Sequence, residues 1–179
     1  TAEAQRVPSV DLGDECVTVA GQSEDGRPFG CRARYLVDAS GRDTLLGNQL
    51  RVKRKSPQHQ SAAMFAHFRG VERRPGADAG NVSIYRFDQG WIWLIPLPGD
   101  VMSIGAVCWP DYLRQRRTGN REFLLHTLHA IPALRERMAH AEIVGHLHVT
   151  GNYSYSCRRM SGRRWIMAGD SYAFVDPVF

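Results

Sequence analysis

The stretch DQGWIWLIPLPGD, residues 88–100, contains two tryptophans, Trp91 and Trp93, that are separated by one residue and followed by Ile-Pro. Residues two positions apart in a β-strand point to the same face, so both indoles are predicted to share one side of a sheet. PLPGD then predicts a tight turn into the next apolar run, VMSIGAVCW at 101–109. The tryptophans are therefore predicted to form either ordinary core or the wall of a site.

Further strand-like runs lie on both sides of this hairpin. SAAMFAHFRG (61–70) and GNVSIYRFDQ (80–89) precede it, and the four runs together predict an antiparallel meander. Nearer the N-terminus, the alternating run 16–21 is followed by Asp25-Gly26, which is typical of a hairpin turn, and CRARYLVDAS predicts the returning strand. Nearer the C-terminus, three more runs predict strands, namely EIVGHLHVTG, NYSYSCRRM and RRWIMAGD.

Between these regions the hydrophobic period changes to that of a helix. In GNREFLLHTLHAIP, Asn120 is predicted to cap a helix whose inner face carries Leu124 and Leu128. Pro132 begins a second predicted helix, PALRERMAHA. The predicted fold class is α+β, with a mixed or antiparallel sheet of about six strands and two helices on one face.

The composition is that of an ordinary globular protein, with 43% apolar and 23% charged residues in a chain of 179. No run of about 18 apolar residues occurs, so no membrane span is predicted. The first residues have neither the basic nor the apolar region of a signal peptide, and we expect the central part of a longer, cytoplasmic protein. The four cysteines lack the spacing of a zinc site or a disulfide framework, which indicates reduced thiols.

The formal charge of +5 does not by itself indicate a nucleic-acid partner. The basic clusters, such as RVKRK at 51–55 and RQRR at 114–117, are scattered and are not interleaved with aromatic residues. They indicate solvated loops and helix faces, one of which could help to hold an anionic cofactor. No nucleic-acid partner is therefore predicted.

The histidines do not predict a metal site. His146 and His148 share a strand face, and His126 and His129 are neighbours on the first predicted helix. Neither pair has a third ligand at a useful spacing, so surface or interface histidines are the favoured interpretation.

Two buried strands each end in an acidic residue among small residues. YLVDASGRDT ends one strand at Asp38, with Gly41 and Arg42 beyond it, and WIMAGDSYAFVDP ends another at Gly169 and Asp170. Small residues let a ligand approach the backbone, an arginine can bind a phosphate, and an acid at a strand end can accept hydrogen bonds from sugar hydroxyls. Either pattern alone fits an ordinary turn, whereas the two in this order are more specific.

The ordered motifs VDASGRDT, GWIWLIPL, SIGAVC and AGDSYAFVDP resemble the flavin-dependent halogenases, which belong to the hydroxybenzoate-hydroxylase-like superfamily of FAD enzymes. The run from Trp91 to Pro96 matches the W-x-W-x-I-P motif of that family without departure, and it lies between the two flavin motifs as it does there. The resemblance covers nearly the whole chain. It implies a two-domain FAD-binding fold in which 1–42 end the FAD-binding domain, 43–164 form a substrate-roof sheet with helices, and 165–179 return to the FAD-binding domain.

The resemblance also implies roles for individual residues. The wall near the flavin, where the family's motif is thought to disfavour oxygen transfer to the substrate, would consist of Trp91, Trp93, Ile95 and Pro96. FAD would be bound by Asp38, Gly41, Arg42, Gly169, Asp170, Asp176 and Pro177. A substrate pocket would be lined by Met64, Phe65, Phe68 and Tyr85, for which a purely structural role in the core stays open.

The implied function is that of an oxidoreductase of bacterial secondary metabolism that uses reduced FAD, oxygen and halide to halogenate an electron-rich aromatic. The substrate would be a free small molecule or one bound to a carrier protein, and a separate flavin reductase would supply the reduced FAD. Three alternatives stay open: an FAD-dependent monooxygenase or reductase of the same superfamily, an inactive truncated fragment, and a basic nucleic-acid binder, which steep salt-dependent binding to oligonucleotides would support.

Departures from the oxygenating relatives favour a halogenase. The hydroxylases resemble D-G-x-x-S-x-V-R at the first motif, whereas here Gly41 is followed by Thr44, Leu46 and Gly47. The family's G-x-G-x-x-G turn and its catalytic lysine, which precede the first motif there, have no counterpart in this sequence. Lys53 and Lys55 follow that motif in a basic segment, and we assign neither of them the catalytic role.

Overall fold

A computed structural model describes residues 5–57, 60–151, 153–176 and 178. The chain divides into two compact units, unit 1 with residues 1–57 and 154–177 and unit 2 with residues 58–153 and 178–179. The domain boundaries implied by the resemblance, after residues 42 and 164, stay a prediction. No helix in the described ranges is both long enough and apolar enough to cross a membrane.

The helices and strands have the following bounds. The strands are β1 Gln5–Leu12, β2 Val17–Ser23, β3 Pro28–Ala33, β4 Leu36–Asp38, β5 Lys53–Lys55, β6 Ala62–Arg69, β7 Ser83–Phe87, β8 Gly90–Leu97, β9 Val101–Cys108, β10 Glu142–Gly151, β11 Tyr155–Cys157, β12 Ser161–Gly162, β13 Trp165–Met167 and β14 Ala173–Phe174. The helices are α1 Leu45–Gln49, α2 Pro110–Arg114, α3 Asn120–His129 and α4 Pro132–Arg137. Short 3₁₀ helices cover Gly41–Asp43, Gly76–Gly80 and Gly169–Ser171.

Unit 2 is built on an antiparallel sheet with the strand order β10-β6-β9-β8-β7. The predicted hairpins β7–β8 and β8–β9 are confirmed. The four-strand meander is wrong in one respect, because β6 pairs with β9 and not with its sequence neighbour β7. The segment between β6 and β7, which includes the 3₁₀ helix 76–80, carries the chain from one side of the hairpin to the other.

Helices α3 and α4 cover one face of this sheet, as predicted. Ile92 and Leu94 of β8 belong to the same buried cluster as Leu124 and Leu128 of α3 and Leu134 of α4. Because side chains alternate between the two faces of a strand, Ile92 and Leu94 of β8 both point into the core between the sheet and the helices. The predicted α+β class, with an antiparallel sheet and few helices, is confirmed.

Two details of the helical region differ from the sequence expectation. The residue that caps α3 is Gly119, and Asn120 is the first helical residue. The side-chain oxygen of Asn120 accepts a hydrogen bond from Arg116 instead of capping the helix. Helix α2 was not predicted; it begins at Pro110, a residue whose fixed φ suits the first helical position.

Unit 1 consists of three small sheets around a second core. The first sheet has the order β1-β2-β3, and its β2–β3 hairpin turns at Asp25-Gly26 as predicted. The segment CRARYLVDAS, however, forms two strands that belong to different sheets, since β3 ends at Ala33 and β4 begins at Leu36. The apolar side chains Val17, Leu46 and Trp165 are buried together in the core of this unit.

Candidate functional site

The two predicted ligand-binding strand ends lie side by side in unit 1. Strands β4 and β13 are parallel neighbours, and Asp38 is paired with Met167. Beyond the strands, the N–H of Ala168 and the hydroxyl of Ser171 donate hydrogen bonds to the backbone oxygen of Asp38, at 2.8 and 2.5 Å. Ligands of open α/β sheets bind beyond the carboxyl ends of parallel strands, and the 41–43 and 169–171 turns lie at such an edge.

Asp38 shapes this edge through its own hydrogen bonds. The side chain is buried, and one carboxylate oxygen accepts the N–H of Ser40 at 2.9 Å. The other oxygen accepts the N–H of Leu46 at 2.8 Å, in the first turn of α1. Because the side chain is 4% exposed and each oxygen accepts a backbone N–H, Asp38 fixes the turn between β4 and α1.

The turns themselves leave room for a ligand. Gly41 and Gly169 have φ values of 62° and 59°, in the left-handed region that favours glycine, and a Cβ on either would meet no atom within 4 Å. Arg42 and Asp170 are both exposed. The Arg42 guanidinium lies 5.3 Å from the centroid of the Phe174 ring. The edge thus presents open backbone, a cation and a carboxylate.

A cleft of about 780 Å³ opens beside the first turn. Its lining includes Asp38, Ser40 and Asp43 from the turn, and Arg6 from β1. Asp176, also predicted to bind the cofactor, is buried in unit 1. Pro177 lies outside the described residues.

Two side chains that were not predicted as site residues, Lys53 and Tyr155, contact both turns. The Lys53 ammonium donates to the hydroxyl of Thr44 at 2.9 Å and lies 3.9 Å from the centroid of the Tyr155 ring, whose hydroxyl donates to the backbone oxygen of Asp170 at 2.6 Å. Burial lowers the pKa of Lys53, and burial followed by the charge of Asp170 raises the pKa of Tyr155. Lys53 and Tyr155 meet because β5 pairs with β11. These two strands are distant in the sequence, so no local sequence pattern predicts that the two side chains are neighbours.

The tryptophans of the opening stretch share one face of the unit 2 sheet, as predicted, and this face is opposite the helices. Their ring centroids are 5.7 Å apart. Phe65 of β6 follows Trp93 at 5.8 Å, and His148 of β10 stacks on Phe65 at 5.0 Å with 22° between the planes. We call the row Trp91, Trp93, Phe65 and His148 the aromatic row; it crosses the sheet from β8 to β10.

A glycine makes the aromatic row possible. Gly105 of β9 is paired with both Trp93 and Phe65, and a Cβ there would lie 2.3 Å from the Trp93 ring and 2.6 Å from the Phe65 Cβ. The Trp93 indole N–H donates to the hydroxyl of Ser103 at 3.3 Å. The Trp91 indole N–H is buried and has no hydrogen-bond partner among the described residues.

The remaining predicted site residues of unit 2 are divided between the two faces. Ile95 alternates with the tryptophans on their face and is 37% exposed, whereas Pro96 is paired with the core residue Met102 on the opposite face. The structure also assigns two of the predicted pocket residues, Met64 and Phe68, to the core under the helices. The hydroxyl of Tyr85 accepts a hydrogen bond from Arg137 at 3.1 Å, and its ring packs against the same core. Of the four predicted pocket residues, Phe65 is the one on the tryptophan face.

The described residues contain no cluster of three or more histidine, cysteine or acidic side chains that could hold a metal ion. His146 and His148 both lie on β10, and the His148 ring is used in stacking.

Comparison with known proteins confirms the family resemblance. No family model matches the chain. It is 30% identical over 152 residues to a 1H-pyrrole-2-carbonyl-[peptidyl-carrier protein] brominase of Pseudoalteromonas luteoviolacea, across 83% of this chain and 37% of the relative. It is also 30% identical to the tetracycline 7-halogenase of Kitasatospora aureofaciens, across 97% of this chain and 34% of the relative.

A solved structure shows that the fold agrees as well. The myxobacterial chondrochloren halogenase CndH, described as a variant of the FAD-dependent halogenases, superposes with a TM-score of 0.82 at 28% identity, across 98% of this chain and 41% of that one. The chain spans about a third of the length of the curated relatives that it matches.

Proposed function

We propose that this chain, whose sequence relatives and structural neighbours include flavin-dependent halogenases, forms part of the FAD site and the substrate-facing sheet of such an enzyme. The observation that carries the proposal is the side-by-side placement of the 41–43 and 169–171 turns beyond parallel strands. The tryptophan run on β8 distinguishes a halogenase from other flavoproteins with related turns. We further propose that 1–42 and 165–179 contribute to the FAD-binding domain and 43–164 to the substrate domain.

The residues at the strand edge fit an extended, anionic cofactor with a polyol chain. Gly41 and Gly169 give it access to the backbone, Arg42 supplies a cation for the pyrophosphate, and Asp170 supplies an exposed carboxylate for ribityl or ribose hydroxyls. Asp38 holds the first turn in shape rather than contacting the ligand. We propose that Asp176 and Pro177 complete this part of the site.

Reduced FAD, when bound, supplies the electrons that activate oxygen for the oxidation of halide. The chain contributes a rigid apolar surface, because Trp91, Trp93 and Ile95 share one face of β8 and Phe65 continues it. Such a surface excludes water. We propose that Pro96 acts from the opposite face by fixing the end of β8, and that Met64, Phe68 and Tyr85 support the sheet from its core.

The proposed reaction is halogenation of an electron-rich aromatic by halide, oxygen and reduced FAD from a separate flavin reductase. The substrate is a free small molecule or one presented on a carrier protein, as the name of the pyrrole brominase indicates for that relative. We place the protein in the cytoplasm and in secondary metabolism. Bacterial origin is proposed as well, although similar proteins also occur in fungi, such as Penicillium aethiopicum.

The test is an assay of the full-length protein with FAD, a flavin reductase, NADH, oxygen and an electron-rich phenol, with and without bromide. A brominated phenol that requires both flavin and bromide is expected. Conversion of the phenol at the same rate without bromide would refute the proposal, and so would a preparation that binds no FAD.

A further inference from the structure

The first turn of the proposed FAD site is held by a lysine. Lys53, on β5, donates from its ammonium to the hydroxyl of Thr44 at 2.9 Å and to the backbone oxygen of Arg42 at 3.3 Å. Thr44 is buried and has a φ of 48°, a left-handed conformation that costs a non-glycine residue free energy. The contacts of Lys53 therefore stabilise a turn in which the backbone conformation of Thr44 is unfavourable.

The second turn is held by the tyrosine on which this lysine rests. The Lys53 ammonium lies 3.9 Å from the centroid of the Tyr155 ring, close enough for a cation–π interaction. The Tyr155 hydroxyl donates to the backbone oxygen of Asp170 at 2.6 Å. A continuous series of contacts thus runs from Thr44 through Lys53 and Tyr155 to Asp170, from one turn to the other.

Both side chains are partly withdrawn from solvent, which makes their interactions stronger than those of a surface pair. Tyr155 is buried, and Lys53 is half-buried, whereas its neighbour Arg54 on the same strand is exposed. Salt screens the charge of a partly buried group less than that of an exposed one. The positive charge of Lys53 therefore adds to that of Arg42 at the first turn.

We propose that Lys53 and Tyr155 are positioning residues for FAD: together they set the separation of the two turns, and Lys53 adds positive charge behind the first. The proposal rests on the proposed FAD site and specifies residues that the flavin motifs do not include. Neither residue reacts; each acts through the turn that it holds.

The test is a titration of the full-length protein with oxidised FAD, followed by flavin fluorescence and by the circular dichroism of the bound flavin. The variants are Lys53→Met, Lys53→Arg and Tyr155→Phe, with Arg54→Met as a matched control that removes the same charge from the same strand. Thermal melting of each variant without FAD checks that it is folded.

We expect Lys53→Met to raise the Kd for FAD by about tenfold and Tyr155→Phe by about threefold or more, because each loses a hydrogen bond to a turn. Lys53→Arg keeps the positive charge and should raise the Kd for FAD less than Lys53→Met does. Arg54→Met should change the Kd by less than about twofold. A double variant that combines Lys53→Met and Tyr155→Phe should raise the Kd by less than the product of the two single increases, since the two residues act in one series of contacts. The circular dichroism of the flavin should change in the two disruptive variants alone.

The outcomes separate the two proposals. If the wild-type protein binds FAD and folded Lys53→Met and Tyr155→Phe bind it as tightly as Arg54→Met, the positioning role is overturned while the FAD site stands. If the wild-type protein binds no FAD, both proposals are overturned. If Lys53→Met does not fold, Tyr155→Phe decides the question, because it removes one hydroxyl and keeps the ring.

Discussion

The buried carboxylate of Asp38 holds the first turn, because its two oxygens accept the backbone N–H groups of Ser40 and Leu46. The strand-Asp-x-x-Gly-Arg pattern correctly predicts a buried acid at a strand end, and the structure places it there. The sequence pattern does not show that both carboxylate oxygens accept backbone N–H groups, from Ser40 and Leu46. Those hydrogen bonds depend on how the chain folds back after Gly41.

Replacing Asp38 tests its structural role. Asp38→Ala leaves two N–H groups without an acceptor, and we expect the free energy of unfolding to fall by about 2–4 kcal/mol. Asp38→Asn retains one acceptor and should lose less. Urea unfolding measures both changes, with Asp11→Ala, at an exposed position, as the control. Equal stability of Asp38→Ala and the control would contradict the assigned hydrogen bonds.

Gly105 is the residue on which the aromatic row depends. A methyl group there would overlap the Trp93 ring, 2.3 Å away, and could be accommodated only if that ring moved. We expect Gly105→Ala to cost about 1–3 kcal/mol of stability through overpacking and to change the near-ultraviolet circular dichroism of the tryptophans. Gly30→Ala, a strand glycine with no other atom closer than 3.9 Å to the added carbon, should change neither.

At the scale of secondary structure, local patterns predicted the elements better than their partners. Alternation predicted β7, β8 and β9, and helical spacing predicted α3 and α4. The pairing of β6 with β9, and of β5 with β11, was missed because it joins segments that are distant in the sequence. Met64 and Phe65 were both predicted to line the pocket, although adjacent residues of a strand face opposite sides; the alternation of the predicted strand already excluded this.

The β8–β9 hairpin is held at its turn by Arg73, which donates to the backbone oxygens of Leu97, Gly99 and Val101 at 2.7, 2.6 and 3.0 Å. Arg73→Met should lower the free energy of unfolding by about 1–3 kcal/mol, since it leaves these carbonyls without their charged donor. Hydrogen exchange of the hairpin amides should accelerate as well. The adjacent exposed Arg74→Met is the control, and equal exchange in the two variants would show that Arg73 does not hold the turn.

For the whole molecule, alkaline pH is expected to reduce stability through a buried thiol. Burial raises the pKa of Cys108 from 9.0 to about 12, so the unfolded state loses this proton at lower pH than the folded state. The stabilisation is complete below pH 9 and is lost as the pH rises toward 12. Cys108→Ala should therefore unfold with a weaker dependence on pH in this range than the wild-type protein. Parallel pH profiles would contradict the shift.

We propose that this chain is part of a halogenase and not of an oxygen-inserting flavoprotein. The most direct measurement is mass spectrometry of the product formed by the full-length protein from an electron-rich phenol, with reduced FAD, bromide and isotopically heavy oxygen. We expect a product that gains bromine and no heavy oxygen. A product that contains heavy oxygen and no bromine would contradict it and would indicate a monooxygenase.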